Sequence, residues 1–596
     1  MQYYTEYLDN SLLLTYEYGI LTYEDQKYYV KEIEVINNRA ITNDVVYINK
    51  NNEVIGIKKR VNKYFIGILY IESKTKYGAT NGKNKYLFKP LNKKFPDFFV
   101  VSKHKNEKNM YVKIEFKDWD KKDKLPNGTV LEYLGYVENI EATQEALRYY
   151  YDISKQPMKI KNDKIQADLK TLEDIDCIDY EIFSIDPQGS LDIDDAFHFN
   201  KMSDWHNDNS NVVKYEVGVH IASPTHFLFD YIEEIMSRVS TVYLENKKYP
   251  MLPAIYSDNI LSLLENNRRV ALSVIYIFDA DFKLENYRIK ECNVLNLKNY
   301  TYEEFDLLLG KKQKMLNNFQ KNNVDFFNFT KILFNMSDSM DSHLFVEKWM
   351  IYTNNNVAKY LIKHNVKNVI IRTQKSPKIV DEIKDNIDES VLKYINIKNE
   401  ESAKYEIYDT SSNHLPNHSP NHYRLNLDFY THYTSPIRRA VDFYIHALFL
   451  GRNNIFSTEV LNNMIDNINT FTKNQRKFQR QLRRLLFLAE IKNKYESKNE
   501  NHLITEAYII EIKDRFLVIY IPEYKLEEKI CIIQKKFEKI IKSNIDLNDN
   551  NEIEKINIID ETQEYTYELY QKIIIKMYVF LSFDSIFDKV KIEIVK

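Results

Sequence analysis

Ser184-Ile185-Asp186-Pro187-Gln188-Gly189-Ser190-Leu191-Asp192-Ile193-Asp194-Asp195-Ala196 sets four carboxylates within ten residues, bracketed by two turn-formers. Phe183 and Ile185 read as the end of a buried strand. Pro187 fixes its own φ and biases Asp186 toward extended backbone. Gly189 permits the reversal that follows. In an extended segment Asp192 and Asp194 share a face and Asp195 points away, so a turn or bulge is needed to converge all four. Two unit charges about 4 Å apart repel by about 4 kcal/mol at an effective dielectric of about 20. Clustered acids therefore raise one another's pKa or hold cations. A hard divalent ion is the natural partner, Mg²⁺ especially, because it takes a few carboxylates and leaves positions open for phosphate. A solvated acidic loop is the plain alternative. A calcium-binding loop fits badly: counted from Asp192, Phe197 stands where Gly is needed and Ser203 where Glu is needed.

A second stretch, residues 430–446, reads Tyr-Thr-His-Tyr-Thr-Ser-Pro-Ile-Arg-Arg-Ala-Val-Asp-Phe-Tyr-Ile-His. Ser435-Pro436 predicts a helix start, with Arg438 and Arg439 in the first turn. Two arginines there oppose the helix dipole. They make sense if an anion docks among them and the free backbone N–H groups.

Together, SIDPQGSLDIDDAFHF and YTHYTSPIRRAVDFYIH resemble the paired signatures of the RNase II / RNase R (RNB) exoribonucleases, a family that includes the catalytic subunit of the eukaryotic exosome. Val219-His220-Ile221-Ala222, the run from Arg238 to Pro253, Ser262-Leu263, and Glu347, Met350, Asn354 and Ala358 resemble further family segments. The resemblance implies an Mg²⁺-dependent, processive 3′-to-5′ exoribonuclease that turns single-stranded RNA into nucleoside 5′-monophosphates. It implies Asp186, Asp192, Asp194 and Asp195 as metal ligands, in a two-ion site, and Asp194 and Arg438 as catalytic. RNA contacts are expected from Tyr243, His432, Ser435 and Arg439. Two departures stand out: Ser223 replaces the family's Asp, and Gln479 stands where a Glu is usual. The rivals are a catalytically inactive RNA-binding protein of the same fold and a DxD glycosyltransferase.

The resemblance also orders the chain as a multidomain α+β protein, with a mixed α/β catalytic domain flanked by small barrels. Residues 1–61 and 62–155 are expected to be cold-shock-like OB domains, 172–495 the catalytic RNB domain and 502–596 an S1-like OB barrel. Short β-branched and aromatic runs between Asn, Asp, Lys and Gly turns support the outer barrels. Asn43 stands where the family has Gly, and Asn tolerates left-handed backbone. A helix is expected over 141–151. Residues 471–494 read as an amphipathic helix whose second stripe, Arg476, Arg480, Arg483 and Arg484, could line an RNA channel. His414, His418 and His422 have helical spacing, but Pro416 and Pro420 forbid the helix. Residues 540–565 are polar and read as an insertion or long loop.

At 596 residues the chain has room for several cores. Its net charge of −3 gives no global nucleic-acid signal, so RNA binding has to come from local basic surfaces. The 46 tyrosines accompany abundant Asn, Ile and Lys, a compositional bias that weakens any single tyrosine as a binding signal. Three scattered cysteines, Cys177, Cys292 and Cys531, suit a reducing compartment. No signal peptide or membrane-spanning run is read. The expectation is a monomer, cytoplasmic or nuclear rather than secreted, without the exosome subunit's leading endonuclease domain; association with an exosome is left open.

Overall fold

Asp186 closes one strand and Asp195 opens the next, so the acidic motif is the connection between two strands of a barrel. The computed structural model describes residues 17–595 except 204–212, 378–387, 409–420, 532–543, 548–552 and shorter stretches. His414 and His418 lie outside the described residues. The chain divides into two units: residues 155–380 with 398–473, and residues 1–154 with 381–397 and 474–596.

The first of these units holds a closed barrel of strands Ile182–Asp186, Asp195–Ser203, Val213–Ala222, Arg268–Phe278 and Leu284–Thr301. Neighbours run antiparallel except at closure, where Ile182–Asp186 lies parallel to Leu284–Thr301 and sets Asp186 opposite Thr301. Val217, Val219 and Ile221 are fully buried, as are Val274 and Ile275 on the neighbouring strand. Phe183 stacks on Phe305 at 5.7 Å, and Phe326 and Trp349 extend this aromatic core to helices Asn318–Leu333 and Ser342–Lys363.

Gly218 is required by packing rather than by its backbone angles. A Cβ there would lie 2.1 Å from the His198 ring and 2.9 Å from His220. His198 Nδ1 and His220 Nε2 are hydrogen-bonded at 2.7 Å, and His220 Nδ1 meets Ser273 Oγ at 2.8 Å. Burial pushes both imidazole pKa values down, so this buried chain is neutral.

The other unit is built on β-sheets. Strands Glu17–Glu24, Lys27–Val30, Ile33–Val35, Val45–Ile48 and Val54–Lys59 form the first. Asn43 takes φ 75°, the conformation its side chain tolerates, just before the buried Asp44, which pairs with Arg60 at 2.9 Å. A six-stranded sheet follows, and its first strand, Tyr64–Leu69, also pairs with Lys83–Pro90, which turns the sheet back on itself as an OB-like barrel. Helix Ile140–Tyr150 begins at Asn139, whose side chain accepts from the Ala142 N–H.

Near the C-terminus, strands Leu503–Lys513, Phe516–Ile521, Leu526–Cys531, Lys572–Val579 and Val590–Ile594 make a five-stranded sheet around a core joined by Leu488, Ile491 and Tyr495 of helix Thr458–Glu496. That helix starts well before residue 471. Its arginine stripe is partly committed, since Arg484 Nε donates to Glu528 Oε1 at 2.5 Å. Within the insertion or long loop expected over 540–565, the described residues form strands Asn544–Leu547, Ile553–Ile559 and Glu564–Glu568 of one sheet. The polar residues mask an Ile and Tyr pattern in which Ile556, opposite Tyr567, is buried in the neighbouring core. No helix among the described residues is long and apolar enough to cross a membrane.

Candidate active site

The loop between the acid-bearing strands is built by local chemistry. Ser190 N–H donates to the Pro187 carbonyl at 3.1 Å and Gly189 sits at φ 80°, which gives the expected reversal. The return is pinned by Ser262, whose hydroxyl oxygen accepts from Ile193 N–H at 2.9 Å, and by Leu263 N–H on the Ile193 carbonyl at 3.0 Å. Ala222 N–H donates to the Asp194 carbonyl at 2.8 Å, so the backbone of Asp194 is set by the neighbouring strand.

The arginine-bearing segment arrives on a scaffold of its own. Tyr433 hydroxyl donates to the Leu272 carbonyl at 2.7 Å, and Tyr433 N–H donates to Asn354 Oδ1 at 2.8 Å. Asp442 Oδ1 accepts both Ser435 N–H at 2.8 Å and Arg439 Nη2 at 2.7 Å. The helix begins at Ala440, not at Pro436, and Arg439 is its N-cap with extended backbone. The reason is long-range: Ala440 N–H donates to the Val239 carbonyl and Thr241 N–H to the Arg438 carbonyl, a strand-like bridge that holds this backbone open. The arginines therefore precede the first helical turn.

The two segments meet at Asp194, which is only 4 % exposed. Ile437 N–H donates to Asp194 Oδ1 at 2.9 Å, and Arg438 Nε donates to Oδ2 at 3.2 Å. Arg438 Nη2 also donates to Ser435 Oγ at 3.1 Å. Burial pushes the Asp194 carboxyl up to about 7 even against Arg438. Burial likewise raises Asp186 to about 6. Burial and the neighbouring Asp186 and Asp194 carboxylates push Asp195 well above the usual range. Tyr302, carried in beside Asp186 by the Asp186–Thr301 pairing, is pushed up to about 12 by burial and by Asp195 and Asp186.

Asp192 stands near enough to Asp186 to raise its carboxyl, but its own oxygens are taken. Its Oδ2 accepts the Tyr243 hydroxyl and its Oδ1 accepts Lys248 Nζ at 3.1 Å. Lys248 also donates to Asp258 Oδ1 at 2.7 Å. The four acids thus stay within electrostatic reach of one another, with Asp186, Asp194 and Asp195 buried and Asp192 also paired to a lysine. Among the described residues no three acid, histidine or cysteine side chains are gathered closely enough to enclose a metal. What fits a cation is the state of the remaining acids: Asp186 Oδ2 is buried with no hydrogen-bond partner, and burial with the neighbouring acids makes ionisation of Asp195 beside it unfavourable. A hard ion that takes a few carboxylates and keeps water or phosphate positions suits that arrangement.

The other expected contacts are scattered. His432 Nδ1 is bound to the Tyr405 hydroxyl at 2.6 Å, and Arg439 pairs with Asp442, so both brace the segment that carries Arg438. Arg476 and Arg480 belong to the other unit. Ser223, in place of an acid, donates to Glu291 Oε1 at 3.1 Å, so a neighbouring strand supplies a carboxylate there. Lys248, Asp258, Tyr302 and the Ile437 N–H were not visible as site groups in the sequence. Asp442 had one signal, its place three residues after Arg439 on a helical segment.

A family model described as an RNB domain matches residues 174–336 and 315–450, a span that holds both the acidic motif and the Arg438 segment. The chain carries an RNB domain. A second model, Dis3-like cold-shock domain 2, matches residues 85–152. Among RNB relatives, Ribonuclease R of Chlamydia pneumoniae is 26 % identical over 397 residues, 56 % of either chain. The exosome complex exonuclease RRP44 of Mus musculus is 24 % identical over 585 residues, 85 % of this chain and 58 % of the relative. The chain thus spans a little over half the length of these relatives. In fold it is similar to Mycoplasma genitalium RNase R in complex with ribose-methylated single-stranded RNA, at TM-score 0.68 and 15 % identity, covering 97 % of this chain and 100 % of that one. It is also similar to yeast Ssd1, described as a pseudonuclease, at TM-score 0.62 and 15 % identity, covering 99 % of each chain. The chain has an RNase R-like, multidomain α+β fold with OB-like barrels.

Proposed function

We propose that the chain is an Mg²⁺-dependent exoribonuclease that degrades single-stranded RNA processively from its 3′ end to nucleoside 5′-monophosphates. One observation carries the reading: Arg438 and the Ile437 N–H converge on Asp194 from a segment 244 residues away, beside Asp186 and Asp195. Asp186 and Asp195 would hold the divalent ion, with Asp194 next to them. A bound ion would activate water and neutralise the leaving oxygen.

The chain's own groups do the rest. Asp194 fixes the direction of the Arg438 guanidinium, and that cation stabilises charge developing on the phosphate. The exposed Tyr243 ring offers a face to the terminal base, while its hydroxyl is tethered to Asp192. Ser435 orients Arg438 from the other side.

The likeness to a pseudonuclease means that fold alone does not decide turnover. Three acids raised by burial beside an arginine favour an active site over a binding surface, since a protein without turnover gains nothing from buried, repelling carboxylates. The test is a gel assay of 5′-labelled single-stranded RNA with Mg²⁺ or EDTA. Mg²⁺-dependent shortening from the 3′ end is expected, with Asp194→Asn inactive but still able to bind RNA. Binding without decay by the native chain would sink the reading.

A further inference from the structure

The hairpin Val242–Tyr243 and Lys248–Tyr249 places Tyr243 directly opposite Lys248. Residues so paired project on one face of a two-stranded ribbon, and here both reach the same carboxylate. Tyr243 takes Asp192 Oδ2 and Lys248 takes Oδ1. Lys248 is itself aimed from behind by Asp258, which also accepts the Ser257 hydroxyl at 2.5 Å. The lysine side chain is only 25 % exposed. Three donors on one ammonium suit a bridge between two acids. At Asp186 the situation is opposite: its Oδ2 is buried and accepts no hydrogen bond, next to Asp195.

A cluster of four acids needs cations wherever its charge is not otherwise balanced. At Asp194 the balancing cation is Arg438, and at Asp192 it is Lys248. Among the described residues Asp186 and Asp195 have no direct ion pair, and Arg438 acts on both only through its field.

We propose that the Lys248 ammonium stands at Asp192 in place of a second metal ion, so that this site takes one divalent ion, held by Asp186 and Asp195. The proposal rests on the nuclease reading and departs from the two-ion site that the sequence suggests. It makes Lys248 a positioning residue: it fixes Asp192, and through Asp192 the Tyr243 ring.

Metal counting tests this. Mn²⁺ bound to the metal-free full chain is counted by equilibrium dialysis and by the electron paramagnetic resonance signal of free Mn²⁺, with no RNA present. RNA decay is followed in parallel. The native chain is expected to bind one Mn²⁺. Lys248→Met and Lys248→Gln free Asp192, and each is expected to tighten a second Mn²⁺ by about tenfold or more. Lys248→Arg keeps the charge and is expected to bind one. Two equally tight ions in the native chain, or the same count in all four proteins, overturns the proposal; if that chain still degrades RNA, the nuclease reading stands. One Mn²⁺ in the native chain with a second gained in Met and Gln, but no RNA decay, supports the lysine's role and overturns the nuclease reading.

Discussion

Replacing Asp194 by Asn should make the metal-free protein more stable while removing its activity. Asp194 is raised from an ordinary value of 3.8 to about 7 because it is buried. A carboxylate whose folded pKa is raised contributes most at low pH, where it is protonated in both states. That contribution is lost as pH rises through the folded value. At pH 8 the ionised side chain therefore costs about 4 kcal/mol, at about 1.36 kcal/mol per pH unit between the two values. At pH 5 the same arithmetic leaves about 1.5 kcal/mol. Asn copies the protonated acid in shape and can keep the acceptor for Ile437 N–H. The gain should therefore be large at pH 8 and small at pH 5. Thermal melts in EDTA at both pH values read it directly. A destabilised Asp194→Asn at pH 8, or a gain independent of pH, would refute the claim that this charge is held against its environment.

Mg²⁺ should raise the melting temperature more at pH 8 than at pH 5, because Asp186, raised to about 6, must lose its proton before it can hold the ion, and Asp194 beside it, at about 7, gains from the ion only once ionised; equal stabilisation at both pH values would count against Asp186 as a ligand. Tyr243→Ala should raise KM for single-stranded RNA by roughly 5- to 150-fold, the equivalent of about 1–3 kcal/mol of stacking, and an unchanged KM would remove Tyr243 from the binding path. Gly218→Ala should destabilise the barrel unit by about 1–3 kcal/mol in denaturant melts, since its Cβ would lie 2.1 Å from the His198 ring; no loss would mean that the His198–His220 pair can shift freely.

Much of the site was legible in the sequence because its chemistry is local. Pro187 and Gly189 dictate a strand, a reversal and a return, and the structure has that order at Ile182–Asp186 and Asp195–Ser203. Asn43 takes the left-handed turn expected of it, and Asn139 caps the helix near residue 141. The family motifs also foretold that the Asp194 and Arg438 segments belong together. The strands found within 540–565 were not legible because Asn and Asp are abundant there, and the value of Ile553, Ile556 and Tyr567 depends on a core supplied by other strands.

Partner choice was decided by tertiary structure alone. A run of aspartates specifies charge, but not which cation each one meets. Lys248 reaches Asp192 across 56 residues, and Arg438 reaches Asp194 across 244. The helix start moved to Ala440 because residues 239–241 bridge to the backbone before it. Turns follow from φ and ψ preferences within a few residues. Hydrogen bonds and ion pairs between distant segments exist only once the barrel has closed and brought those segments within bonding distance.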